Sequence, residues 1–248
     1  MLTVAGFIIA LAIGITGVGG GTITVPVLML FWHASPATTV GTALLFGGVV
    51  KLLVAPVYMI RKQVSYRVLA LMLAGGLPGL FGGLYLLNRL HAAKQNALLT
   101  ELIGGLIVVT AILNLFRANK DAARSATRDR SRWLPWIMLP IGAEVGFSSA
   151  GAGAIGTLAL LGLTPLTAAQ VVGTDVLFGL VLSLGGGAVQ IGAGAYDAPV
   201  LVQLLIGGIA GALIGPNIAA WFPSKPLRVG LCLWLASLGG LLCWHAIG

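Results

Sequence analysis

The chain has 248 residues, of which 58% are hydrophobic and only 8% charged, against roughly 25% charged in a soluble domain. So few charges cannot cover a water-exposed surface of this size, so a water-soluble globular fold is excluded and the sequence describes an integral membrane protein. The net charge of +8 does not signal nucleic acid once it is located: six of the fourteen basic residues (Arg117, Lys120, Arg124, Arg128, Arg130 and Arg132) fall in the polar stretch 117–132, as in a cytoplasmic loop between membrane helices.

Hydropathy divides the chain into apolar runs near 2–31, 37–60, 67–88, 97–116, 134–163, 167–192, 198–221 and 227–247. The first lacks the basic leader of a signal peptide and is taken as a membrane segment. Most runs match the roughly 20 residues that span a bilayer as helix. The first and fifth are longer, near 45 Å as continuous helix at about 1.5 Å per residue. Each is interrupted by small residues: Gly17-Val18-Gly19-Gly20-Gly21 in the first, Ser148-Ser149-Ala150-Gly151-Ala152-Gly153 in the fifth. A helix–break–helix hairpin that dips into the membrane is the expectation for both. The short helices after the breaks are expected near 22–31 and 154–162.

The breaks are related by an internal repeat. An offset of 132 residues superposes 14–90 on 146–222 without a gap, and 22 of the 77 pairs are identical. Chance in this composition would give roughly a tenth. The matches include Gly19/Gly151, Gly21/Gly153, Gly41/Gly173, Phe46/Phe178, Gly75/Gly207 and Gly79/Gly211. The expected fold is therefore all-α and polytopic, with two homologous halves of four segments, 1–116 and 133–248, joined by the cytoplasmic linker 117–132. Duplicated halves are a recurring transporter architecture. Charge distinguishes two arrangements. If the long segments cross once, the halves are parallel and the loop charges divide nine against four; if they are re-entrant, the halves are inverted and the division is eleven against two. The inverted arrangement separates charge better and is the expected one.

The glycine-rich breaks free backbone N–H groups, which is tolerable in a membrane only against protein, water or ligand. The helix N-terminus after each break presents such donors together with a partial positive charge, an arrangement suited to an anion. The candidate cradle is Gly19, Gly20, Gly21 and Thr22 in the first half, with Ser148, Ser149, Gly151 and Gly153 in the second. On the following helix Thr38 and Thr42 stand at i,i+4, as do their repeat mates Gln170 and Thr174, so each pair shares one helix face. Three ionisable residues lie within apolar runs. Lys51 can attract the anion or pair with a carboxylate; Glu144, one turn before Ser148, can carry a coupling proton; Asp175 can relay a proton or pair with Lys51.

No cofactor or metal is expected. Cys232 and Cys243 have no CxxC or Cys/His spacing, and His33, His91 and His245 stand at segment ends. Gly17-x-Gly19 lacks the strand and register of a dinucleotide site. Gly146-Phe147-Ser148-Ser149 has no histidine in a comparable segment to serve as base, so an enzyme is not expected. The expected partners are a small anion, coupled protons and membrane lipid.

Gly-Val-Gly-Gly-Gly-Thr-Ile-Thr-Val-Pro at 17–26, followed by Ser35-Pro36 and Val40-Gly41-Thr42, resembles the sulfite exporter TauE/SafE family of bacterial membrane permeases. A degenerate second copy stands at 149–158 and 172–174, with Ala152 opposite Gly20, Leu158 opposite Pro26 and Asp175 opposite Ala43. The resemblance implies a multi-pass protein of the bacterial inner membrane that moves small sulfur-containing anions such as sulfite or sulfoacetate. Alternating access at the paired breaks is the expected mechanism, beside two alternatives, an anion channel on the same dipoles and a permease for a non-sulfur carboxylate.

Overall fold

The structure, a computed structural model, describes residues 2–16, 20–119, 129–150, 152–218 and 224–247, and nearly all of them are helical. The α-helices in chain order are α1 (Leu2–Thr16), α2 (Gly20–Trp32), α3 (Pro36–Ile60), α4 (Tyr66–Ala92) and α5 (Asn96–Asn119). They are followed by α6 (Leu134–Ser148), α7 (Ala152–Leu163), α8 (Ala168–Gly192), α9 (Ala198–Ile218) and α10 (Ser224–Ile247). Both long apolar segments are thus divided at their small residues, the first into α1 and α2, the fifth into α6 and α7. The helices after the breaks begin at Gly20 and Ala152, two residues earlier than expected, so Gly20, Gly21 and Gly153 belong to first helical turns.

Local chemistry explains several boundaries. Pro36 opens α3 behind Ser35, whose hydroxyl accepts the Thr38 backbone N–H at 3.4 Å; proline costs nothing in the first turn, where its N–H would have no partner. At the equivalent place Thr167 caps α8, and the Gln170 side chain reaches back to the Thr167 backbone N–H, a reciprocal capping box. The repeat governs helix lengths as well: α1 and α6, and likewise α3 and α8, begin and end 132 residues apart.

The most extensive interhelix packing is α4 on α6, α1 on α9, α5 on α10 and α3 on α8. Each of these contacts joins one half to the other. Glycines make the first two possible. A Cβ on Gly75, Gly79 or Gly83 would overlap the carbonyls of Pro135, Leu139 and Ala143, and a Cβ on Gly207 or Gly211 those of Thr3 and Phe7. Backbones approach this closely only where the side chain is a hydrogen, the usual mode of helix contact in lipid. The matching residues obey the offset of 132. Phe46 and Phe178, both 0% exposed, repeat the pattern by filling the spaces at Gly208 and Gly76.

These contacts also give directions. Along α3 and α8, Gly41 lies at Gln190, Leu45 at Gly187, Gly48 at Leu184 and Lys51 at Ser183, so the two equivalent helices are antiparallel. α1 runs parallel to α9, since Thr3 meets Gly207 and Phe7 meets Gly211. α9 in turn runs parallel to α3, with Asp197 at Thr42 and Gly208 at Phe46. α1 and α3 therefore point the same way, and α2 returns between them with Gly20 beside Gly47. α7 likewise folds back along α8, with Gly156 and Thr157 beside Asp175.

Four helices among the described residues are long and apolar enough to cross a membrane: Pro36–Ile60, Tyr66–Ala92, Asn96–Leu113 and Ala168–Gly192. Their outward faces carry large apolar side chains such as Ile60 and Phe81, and Trp136 on α6 is 73% exposed. In water that surface would be costly at about 25 cal/mol per Å²; in lipid it is the solvated side. The protein is a multi-pass membrane protein.

Candidate functional site at the meeting of the two breaks

The two breaks, 132 residues apart in sequence, touch in the fold. Thr22, in the first turn of α2, donates its hydroxyl to the Ala150 carbonyl at 2.7 Å. Gly21 is packed so closely on Ser149 that a Cβ would overlap both its carbonyl and its hydroxyl oxygen. Ser149 closes α6 in the left-handed conformation at φ 59°, with its N–H bonded to the Val145 carbonyl. That conformation is uncommon for a residue other than glycine and aspartate-like side chains, and it turns the chain toward α7. Ser148 donates to the Glu144 carbonyl at 3.0 Å and accepts from the Ala150 N–H at 3.3 Å. Thr22, Ser148 and Ser149 are all buried. Gly19 and Gly151 lie outside the described residues.

Thr38, Thr42, Gln170 and Thr174 are placed elsewhere, nearer the ends of α3 and α8. The Thr42 hydroxyl donates to the Thr38 carbonyl at 2.8 Å and accepts the Asp197 N–H at 3.0 Å. Thr174 accepts the Ser65 N–H at 3.0 Å. These are the same contact made twice, since 65 and 197 are repeat mates: each threonine anchors the loop leading into a long helix of the other half. Thr38 shares a 2.7 Å hydroxyl contact with Ser35, and Gln170 is engaged with Thr167. The four side chains thus have capping and anchoring bonds, and the structure does not bring them to the tips.

The intramembrane charges are drawn inward. The Lys51 ammonium donates to the Ser183 hydroxyl at 3.3 Å, and the Asp175 carboxylate acts on it electrostatically. Asp175 accepts from the Thr157 hydroxyl of α7 at 3.2 Å. Glu144 accepts from Thr110 on α5, a partner that sequence spacing did not reveal. Ser183 was also missed: the offset of 132 equates it with Lys51, and the fold brings the two into contact. A third polar group has no sequence signal at all: Gln190, fully buried, accepts from Asn88 at 3.2 Å and approaches the Ala37 carbonyl at 3.5 Å.

The linker end of the molecule is distinct from the tips. Asp129, Arg130, Arg132, Trp133, Ile137 and Leu163 line an open groove there. The Ser131 backbone N–H donates to Asp129 at 2.9 Å and holds that carboxyl below its ordinary range, with Arg67 adding to the effect. No group of three or more metal-ligating side chains occurs among the described residues.

A family model described as sulfite exporter TauE/SafE matches residues 2–242. The probable membrane transporter protein YjnA of Bacillus subtilis (strain 168) is 25% identical over 240 residues, covering 90% of this chain and 91% of that protein. The probable membrane transporter protein YdhB of the same organism is 27% identical over 240 residues, covering 95% and 96%. No solved structure matches. A family match over nearly the whole chain, on a helical membrane fold whose two glycine breaks meet, identifies this chain as a member of the sulfite exporter TauE/SafE family and a membrane transporter.

Proposed function

We propose that this protein is a carrier that moves a small anion, sulfite or an organosulfur anion such as sulfoacetate, across the bacterial inner membrane by alternating access. The anion binds where the first turn of α2 meets the break between α6 and α7, held by backbone N–H groups around Gly19–Gly21 and 151–153 with the hydroxyls of Thr22, Ser148 and Ser149. The observation that carries this reading is the Thr22–Ala150 hydrogen bond with the packing of Gly21 on Ser149. It joins one break to the other and sets a helix N-terminus from each half beside the same small region. Apposed half-helix termini are a means of holding an anion inside a membrane protein.

The arrangement in the membrane follows the same reading. The halves are inverted, and α1–α2 and α6–α7 are re-entrant. α1 with 15 residues and α2 with 13 reach only about 20 Å each at 1.5 Å per residue, short of the roughly 30 Å hydrocarbon core. The antiparallel pairing of α3 with its repeat mate α8 supports inversion, and so does the return of α2 along α3. The basic linker then lies in the cytoplasm with Arg61, Lys62 and Arg67. Single cysteines at positions 2 and 125 should accordingly label from opposite faces of the membrane. Labelling of both from the cytoplasm would replace the inverted arrangement with the parallel one.

The substrate is tested by thermal stabilisation of purified protein with sulfite, sulfoacetate, thiosulfate and simple carboxylates. A sulfur anion should raise the melting temperature most, and ligand at about 100 times Kd corresponds to about 2.7 kcal/mol of stabilisation. Preference for a carboxylate would reassign the substrate. Reconstituted protein should exchange labelled anion in counterflow; rapid anion passage without exchange would make it a channel.

A further inference from the structure

Two of the charges inside apolar runs, Lys51 and Asp175, fall within the superposed repeat and have no charged counterpart in the other half. Lys51 stands opposite Ser183 in the offset of 132, and Asp175 stands opposite Ala43. Each charge therefore occupies a position where the other half has a neutral residue. A charge at the centre of a membrane helix costs roughly 2.5–3.5 kcal/mol on insertion scales.

Their placement is central. Because Lys51 bonds to its own repeat mate across two antiparallel equivalent helices, its ammonium lies at the pseudo-twofold axis of the molecule. α8 is shaped to receive it. Asp175, Gly179 and Ser183 follow one another at i,i+4 on one helix face, and the ammonium rests against Gly179, 2.6 Å from where a Cβ would stand. Asp175 is thus one turn from the ammonium on one side, and Ser183 holds it on the other. The axis also touches the proposed anion site. Gly47, one turn before Lys51 on α3, is in contact range of both Ser183 and Gly20, the first residue of α2. On the other side Asp175 holds Thr157, in the second turn of α7. Among the described residues Lys51 is the one cation removed from the helix ends.

Other titratable groups on the helices packed against α8 are directed elsewhere. On α3, Tyr58 interacts with Arg61. On α4, Arg67 is exposed and acts on Asp129, Arg89 is bonded to Tyr85, and His91 contacts Asn96. On α6, Glu144 is held by Thr110 of α5, and α7 offers Thr157 and Gly156 to Asp175, neither of which titrates near neutrality.

We propose that Lys51 is the counter-charge of the transported anion and that Asp175 gives it up by taking a proton, so that one proton travels with each anion. This rests on the carrier reading above. Without substrate, Lys51 and Asp175 neutralise each other across α3 and α8. An anion arriving at the α2 and α7 tips competes for the ammonium. Adding it to a neutral pair would leave uncompensated negative charge inside the membrane, where water cannot screen it. A proton from the water on the entry side binds the Asp175 carboxylate and removes one unit of that charge, while the Lys51 ammonium keeps all its protons. On the far side the anion leaves, Asp175 releases the proton to water, and the pair forms again. Net charge and atoms balance over the cycle.

Isothermal titration calorimetry of the purified protein with sulfite, sulfoacetate and thiosulfate, each in two buffers of different protonation enthalpy, counts the protons taken up per anion bound. Sulfoacetate and thiosulfate are fully ionised at neutral pH, so any proton counted with them goes to the protein. The wild type should take up about one proton per anion. Asp175→Asn should bind the same anion with about one proton fewer, a difference in which sulfite's own protonation cancels. Lys51→Met should lose tenfold or more in affinity, and Lys51→Arg should keep most of it. If Lys51→Met does not fold, the wild-type proton count and the isosteric Asp175→Asn still decide. Anion binding without proton uptake, with Asp175→Asn unchanged, would overturn the coupling and leave the carrier reading intact. Failure of the wild type to bind any of the three anions would overturn the carrier reading and this coupling with it.

Discussion

Gly21→Val should weaken anion binding on the order of 100-fold while leaving the protein in the membrane. The added Cβ meets the carbonyl and hydroxyl of Ser149, and the first of these is backbone that cannot rotate away. The tips must separate, and the Thr22–Ala150 bond is lost with them. Forcing atoms into a filled contact costs about 1–3 kcal/mol, and the upper figure is roughly the stated factor at 1.4 kcal/mol per decade. Because the damage is confined to the contact between the start of α2 and the end of α6, the long spanning helices should keep their packing. The checks are calorimetric affinity for the stabilising anion together with the melting curve of the variant. Affinity equal to wild type in a protein that melts normally would remove the apposed tips as the binding site.

A larger effect on stability is expected where the halves interlock. Gly75→Val and Gly207→Val each place side-chain atoms on a carbonyl of the neighbouring helix, Pro135 in α6 and Thr3 in α1. Neither backbone can move without displacing a helix of the other half. Each change should cost about 3 kcal/mol or more, a large part of the roughly 5–15 kcal/mol that holds a typical fold together. The two sites are repeat mates, so their penalties should be similar, and the double variant should fail to yield monodisperse protein. Gly82→Val provides the control, since a Cβ there meets nothing within 4 Å. Its melting temperature should stay near wild type. A double variant at 75 and 207 that melts within a few degrees of wild type would rule out these glycine contacts as what interlocks the halves.

The coarse architecture was legible in the sequence because its signals are local. Membrane residence follows from composition, and helix positions follow from the length of apolar runs between polar or proline-containing links. The duplication was equally readable, since it needs only two stretches of one chain compared at a fixed offset. α3 and α8 then share both boundaries at that offset. The division of the two overlong segments could be expected from Gly19–Gly21 and 148–153, although α2 starts at Gly20 and not after the glycines.

What the sequence could not determine is which surfaces meet. Thr42 and Thr174 look like substrate ligands because paired hydroxyls on one helix face suit an anion. In the fold their hydroxyls accept from the backbone N–H groups of Asp197 and Ser65, residues 155 and 109 positions away. Local spacing carries no information about such partners. Glu144 and Thr110 are paired for the same reason, and so are Gln190 and Asn88. Nor does the sequence show that partners are exchanged between the halves, α1 with α9 and α6 with α4. That is a property of all the helices packing at once: hydrophobicity places each of them in lipid, but it does not choose neighbours among equally apolar helices. Tertiary structure makes the choice through glycines that admit a neighbouring backbone, and in doing so it brings the two breaks together and sets Lys51 beside Ser183.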